Sequence, residues 1–359
     1  TVEITIVLLA ARIGLAFPQG VYQSVFVGTQ RQVSLNAIMV GVALLGAALT
    51  ISLVVFTRSL VALYAGEALN AGLLVAVLRL RAYRILPSAG TTKTSRFSRA
   101  DVVAIARPSA SILWTSGIGI IITQFDRVLL SKLETLAQLA VYNAGIAGGR
   151  LLNMAYMPFL MAAYPETCQI AATGDPARMS KHIVRNATVV SALAAAGAAP
   201  VAFFSADILL AWTHEPVISA GGWRIMAIYI AGSYTLANAS VFYMLQMAMG
   251  SVRQAALYNT TALAWYPAMM HVLIGAHGAE GAAWAWLVYG AISWAFMASV
   301  SFVRHLQPGC LGVYARRTLV PLALAVAIGG LARLAADAAA LAHPLVRTAI
   351  AGATGALLL

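Results

Sequence analysis

The sequence predicts an all-α polytopic membrane protein with about eleven transmembrane helices, and three observations predict it. Of 359 residues, 61% are hydrophobic and only 9% charged, with a mean hydropathy of +0.84; average soluble domains carry about 25% charged residues. Apolar runs of roughly twenty residues recur along the chain, and ~20 residues at ~1.5 Å rise cross the ~30 Å hydrocarbon layer. The loops between the runs alternate from rich to poor in Lys and Arg, which is how cytoplasmic and outer loops differ.

Taken in order, the helices are expected at about 3–27, 35–57 and 60–79, separated first by Gly28-Thr29-Gln30-Arg31-Gln32 and then by Arg58. The longest hydrophilic stretch follows at 79–107, with Arg79, Arg81, Arg84, Lys93, Arg96, Arg99 and Arg107 around a Ser/Thr/Gly-rich middle; it reads as a solvated linker. Spans at 108–131 and 135–163 flank a short outer loop carrying Lys132, and 183–204 follows the basic residues Arg178 and Lys181. Beyond the outer loop 205–222 come 223–249, 255–275 and 281–303, then 318–336 behind Arg316 and Arg317, and 345–359.

Placing 79–107 in the cytoplasm puts Arg31, Arg178, Lys181, Arg185, Arg253, Arg304, Arg316 and Arg317 there as well, fifteen of the 23 basic residues. The outer loops hold Arg58, Lys132, Arg224 and Arg347, and only Arg12, Arg127, Arg150 and Arg333 fall within spans. The net charge of +12 is therefore topological and does not indicate nucleic acid. Cys168 and Cys310 fall in cytoplasmic loops, where free thiols are expected. The chain opens at Thr1 and ends on Gly-Ala-Leu-Leu-Leu, which reads as a piece of a longer protein.

Gly28-Thr29-Gln30-Arg31-Gln32, followed by Leu35 and Asn36, echoes Gly250-Ser251-Val252-Arg253-Gln254, followed by Leu257 and Asn259. The copies lie six helices apart, an even number, so the repeat is parallel, as in transporters built from two like-oriented halves. On that reading residues 1–79 are a partial amino-terminal lobe lacking its first three helices, and 80–107 a basic cytoplasmic linker. Residues 108–304 are a complete six-helix lobe, and 305–359 two extra peripheral helices.

Two stretches carry a resemblance. Thr123-Gln124-Phe125-Asp126-Arg127-Val128-Leu129-Leu130-Ser131 leads into Val141-Tyr142-Asn143-Ala144 and a long helix ending near Met157-Pro158-Phe159 and Tyr164-Pro165-Glu166. This resembles the start of the second lobe in the polysaccharide-export flippases of the multidrug/oligosaccharidyl-lipid/polysaccharide exporter superfamily. Phe17-Pro18-Gln19 through Arg31 and Asn36 is similar to their fourth helix and inner loop. The resemblance implies two six-helix lobes around a cavity that opens to each side in turn. It also implies movement of undecaprenyl-diphosphate-linked oligosaccharide, of the O-antigen or exopolysaccharide kind, across the bacterial inner membrane. No cofactor is implied.

Polar residues inside the membrane are the places to seek that chemistry. Arg12, near mid-depth of the first span, is read either as a partner of Glu67, at similar depth, or as a ligand for diphosphate, since guanidinium forms a planar bidentate fork. Glu67 shares a helix face with Asn70 and is read as that partner or as a proton or sodium coupling site. Asp126 and Arg127 point about 100° apart on a helix; Asp126 suits an interhelical hydrogen bond, and Arg127 suits a cavity wall or the headgroup level. Arg150, mid-helix with no carboxylate of its lobe at comparable depth, suits an anionic, transient ligand, or else caps carbonyls freed at a kink near Pro158 or is solvated by water. Gly145 and Gly149 before it allow close helix approach. Gln124, Asn143 and Asn153 complete the polar set as coupling or structural groups, and Pro158 and Pro267 are expected kinks. Arg333 and Asp337 read as a local i,i+4 pair.

Arg12, Arg127 and Arg150 against Glu67 and Asp126 leave a net of +1, which suits a phosphate-bearing lipid better than a cationic drug. No Gly-rich loop ending in Gly-Lys-Ser/Thr is present, so ATP hydrolysis is not expected. The six histidines form no ligand cluster, and no soluble segment is long enough for a glycosyltransferase site. Two alternatives stand beside the flippase: a drug/cation antiporter of the same superfamily coupled through Glu67, and a non-transporting membrane protein of envelope assembly. Membrane lipids and a polysaccharide polymerase are the further partners these readings name.

Overall fold

The computed structural model describes residues 2–29, 31–86, 99–251, 253–341 and 343–358. Gln30 and Val252 of the two echoes lie outside the described residues, as does the middle of the linker, 87–98, with Lys93 and Arg96. The described residues form fourteen helices: α1 (Val2–Ala16), α2 (Gln19–Gly28), α3 (Gln32–Thr57), α4 (Leu60–Ile85), α5 (Arg99–Leu133), α6 (Leu136–Gly145), α7 (Ala147–Thr173), α8 (Pro176–Phe203), α9 (Ser205–Thr213), α10 (Pro216–Ala248), α11 (Arg253–His277), α12 (Ala279–Arg304), α13 (Cys310–Ala338) and α14 (Pro344–Leu357). In hydrocarbon only a helix or a closed barrel satisfies every backbone polar group internally. Seven stretches are long and apolar enough to cross a bilayer: Glu3–Phe26, α3, α4, α8, α10, α12 and α13. The chain is a multi-pass membrane protein.

It divides into two compact units, Thr1–Phe97 and Ser98–Leu359. In the first, α1 and α3 both pack on α4. Glycine sets the α3–α4 spacing: a Cβ at Gly46 would overlap the Asn70 side chain, and one at Gly66 would come 2.6 Å from the Thr50 hydroxyl. Phe26, Leu78 and Ala82 form a small core near the other end. Ser59 starts α4 by accepting the Val61 N–H at 3.2 Å.

In the second unit α10 is central, with α6, α7, α8, α9 and α12 packed around it; α13 lies along α8, and α11 sits between α5 and α12. The α6–α7 junction lies close to α10 because Gly145, the last residue of α6, and Gly149 of α7 both face it. A Cβ at Gly149 would come 2.5 Å from both the Tyr229 ring and the Ser233 hydroxyl. Trp286 stacks on the same Tyr229 at 5.1 Å and donates to Ser233 at 3.3 Å, and Trp294 packs edge-on against Tyr234. Local signals start the helices: a Thr135/Gln138 capping box opens α6. Asp175, followed by Pro176, caps α8 by accepting from Ala177 and Arg178 at 2.9 and 3.1 Å.

Three elements differ from the sequence expectation. The span at 3–27 is two helices, because Pro18 has no N–H to give and its ring drives Phe17 out of the helical region. The span at 135–163 is interrupted at Ile146 and continues to Thr173, passing through Pro158 as helix, while Pro267 lies within α11. The outer loop 205–222 contains α9 and the first turns of α10. Helical structure also extends into the basic stretches, to Ile85 in α4 and from Arg99 in α5, where Lys and Arg stems can reach water from a helix end. Cys168 and Cys310 are free thiols.

Replacing Gly149 by leucine should cost about 1–3 kcal/mol through overpacking against α10. Gly275→Ala, where a Cβ meets nothing within 4 Å, is the neutral comparison. Thermal unfolding in detergent checks it: equal midpoints for the two variants would mean α10 yields at no cost.

Candidate functional site

Each of the two units holds its own set of the polar residues expected from sequence. In the first unit Arg12 Nε lies 3.2 Å from Glu67 Oε2. The pair lines a cavity of about 290 Å³ together with Gln19 and Asn70. Both side chains are partly solvent-accessible, 48% and 36%, so the pair is reachable by a competing anion, and a pair this open contributes little stability. Asn70 sits a turn from Glu67 with a buried Oδ1 that has no hydrogen-bond donor.

In the second unit Asp126 is buried on α5. The Tyr142 hydroxyl of α6 donates to its Oδ2 at 2.6 Å, and the Arg127 backbone N–H donates to its Oδ1 at 2.8 Å. The Arg127 side chain turns away and donates through Nη1 to Gln124 at 2.7 Å, leaving its Nε buried and without an acceptor. Asn143 spends its amide on the Leu139 carbonyl at 2.9 Å, an intrahelical bond. Asn153 accepts from the Tyr156 hydroxyl of its own helix.

Arg150 is different. It has no ion pair and no hydrogen bond among the described residues, and it lines a cavity of about 570 Å³. The walls are otherwise apolar: Leu151, Leu152 and Ala155 of α7, Val201 of α8, Ile208 and Trp212 of α9, and Met226 and Ile230 of α10. The backbone explains its placement. Gly148 abuts Val201 and Met226, and Gly149 abuts Tyr229 and Ser233, so the next residue is the first with room for a long side chain. Its guanidinium is exposed beside these apolar walls, where a planar fork of donors is open to an anion or to water.

Two charged clusters were only partly visible in the sequence. Arg333 and Asp337 do pair, with Nε to Oδ2 at 3.1 Å. Arg333 also binds Asp207 of α9, and Arg347 of α14 reaches Asp337 at 2.8 Å and Asp207 at 3.7 Å. The four residues form a closed ring of alternating charge tying α9, α13 and α14 together. At the opposite end Glu166 binds Arg185 at 2.9 Å and approaches His182 Nδ1 at 3.4 Å, while Thr167 and Asn186 contact His182 Nε2. Nothing short of a fold places Asp207 or Arg347 in the ring, since their partners are far along the chain.

No protein-family model matches the chain and no curated protein does. Among solved structures it is similar to the lipid II flippase MurJ in an inward closed conformation, with a TM-score of 0.60 over 87% of this chain and 64% of that one, at 10% identity. The chain shares the fold of that flippase. It spans 64% of the flippase's length, and at this identity the likeness is one of architecture. The all-α polytopic membrane fold expected from the sequence is therefore present.

Tyr142→Phe should lower stability by about 1–2 kcal/mol, since it strands the Asp126 carboxyl in the flippase-fold core; an unchanged unfolding midpoint would show that the bond contributes nothing. Asp207→Ala should cost more, roughly 2–4 kcal/mol, because it leaves Arg333 and Arg347 side by side with only Asp337 between them. Its cost should shrink when Arg347→Ala is added, which a double-mutant cycle measures.

Proposed function

We propose that this chain works as a flippase of the bacterial inner membrane, moving a polyprenyl-diphosphate-linked oligosaccharide between leaflets by alternating access. The observation that carries the reading is Arg150, an exposed cation without a counter-ion among the described residues, at the edge of an apolar cavity. The flippase fold supports it. A diphosphate offers the oxygens that a guanidinium fork binds bidentately, and the cavity walls suit the isoprenoid end.

In this mechanism Arg150 takes the diphosphate in the second lobe. Arg12 takes it when the anion displaces Glu67, whose side chain is open to water in the present pairing. Glu67 then carries an unmatched charge, which gives proton or sodium uptake a place to act; Asp126, held by Tyr142, is the second carboxyl available for such coupling. Asn70, with its unfilled Oδ1, accepts from a sugar hydroxyl. A polymerase or other assembly protein would receive the product on the outer side.

The test is flipping of a fluorescent undecaprenyl-diphosphate sugar in proteoliposomes. Arg150→Ala should slow it about ten- to hundredfold, the worth of one charged hydrogen-bonded contact, with Arg150→Lys intermediate and Arg12→Ala also slowed. Wild-type rates in folded Arg150→Ala would remove the central residue. Efflux of cationic dye by wild type, with no flipping, would point to the antiporter instead.

A further inference from the structure

A second basic cavity lies well away from Arg150, between α8 and α13 at the end that the basic loops place in the cytoplasm. It measures about 530 Å³ and is lined by Thr188, Val313, Arg316, Arg317, Val320 and Pro321. Arg316 and Arg317 are exposed, and neither has an ion pair or a side-chain hydrogen bond among the described residues. That is unlike Arg12, Arg185, Arg333 and Arg347, each of which is matched by a carboxylate.

Depth identifies what such a cavity meets. From Thr318 to Ala332 the helix carries no charge, and the Arg333–Asp337 pair stands at its far end. Fifteen uncharged residues rise ~22 Å, and the long stems of Arg317 and Arg333 at their two ends extend that toward the ~30 Å of the hydrocarbon layer, so Arg316 and Arg317 stand close to the level of the cytoplasmic phosphates. Adjacent residues on a helix diverge by about 100°, yet both line this one cavity, so a phosphate there is gripped from two sides. Pro321 adds a third feature. Having no N–H, it leaves the Arg317 carbonyl, four residues back, without its helical donor and free to accept from a headgroup hydroxyl. Val313, Val320 and Pro321 supply apolar surface for the start of an acyl chain.

We propose that this cavity is a binding site for an anionic phospholipid whose headgroup combines a phosphodiester with a hydroxyl, such as phosphatidylglycerol, and that it is separate from the transport substrate's site. Basic pockets between helices on the cytoplasmic side are the places where such lipids are held, at about 1 kcal/mol per cation.

Native mass spectrometry of the intact chain, titrated with dioleoyl-phosphatidylglycerol or dioleoyl-phosphatidylcholine, tests this. Wild type should retain phosphatidylglycerol in preference to phosphatidylcholine. The double variant R316Q/R317Q should bind it about tenfold or more weakly, with its unfolding midpoint unchanged. R178Q/K181Q, which removes two cations of the same face outside this cavity, should bind as wild type does. Equal retention of the two lipids would overturn the site, and so would equal loss in the two double variants, because the attraction would then belong to the basic face as a whole. Displacement of the phosphatidylglycerol by stoichiometric undecaprenyl diphosphate would overturn it too, by assigning the cavity to the substrate. Loss of flipping in Arg150→Ala with phosphatidylglycerol retention intact is the result expected if the two sites are independent.

Discussion

The contact on which the second unit depends is the close approach of α7 to α10. Water is absent from a bilayer interior, so helices there gain nothing from hiding apolar surface from it and associate through tight packing of small residues. Gly149 brings the α7 backbone against Tyr229 and Ser233, and Gly145, the last residue of α6, sits against Ile225. Tyr229 in turn stacks on Trp286 of α12, so one glycine contact draws three helices into register. It also decides the chemistry. With Gly148 and Gly149 occupied by neighbours, Arg150 projects into the one space left open, and with Gly145 seated against Ile225 and Gly222, α6 holds Tyr142 over Asp126.

Charge is distributed in keeping with that scaffold. Near the two ends of the second unit three arginines are matched, Arg185 by Glu166, and Arg333 and Arg347 by Asp207 and Asp337, while Arg316 and Arg317 are left open. In the interior, Asp126 is satisfied by a phenol and an amide without a cation. Burying a charge without an opposite charge is costly, so the fold gives up stability there to a neutral network, whereas the exposed Arg150 stands at the edge of an open cavity without a carboxylate among the described residues.

Much of this was legible in the sequence, for identifiable reasons. Apolar length and loop charge are properties of single segments, and each of the eleven expected spans corresponds to one or two observed helices. The Arg12–Glu67 contact followed from matching depth, a one-dimensional count. What was missed is what one dimension does not carry. The interruption at Ile146 arises where Gly145 meets α10, whereas Pro158, the louder signal, sits inside unbroken helix. The short α9 has too few residues to cross a membrane and read as loop. Asp207 and Arg347 join a pair that looked complete as i,i+4, because their proximity exists only after α9, α13 and α14 have met.

That ring has a consequence for how the molecule is made. Asp207 leaves the ribosome 126 residues ahead of Arg333, so for the whole synthesis of α10, α11 and α12 the acid on α9 has no arginine to meet. Its two partners arrive only with α13 and α14. The ring closes when both are in place, which makes these two helices the fastening step for α9.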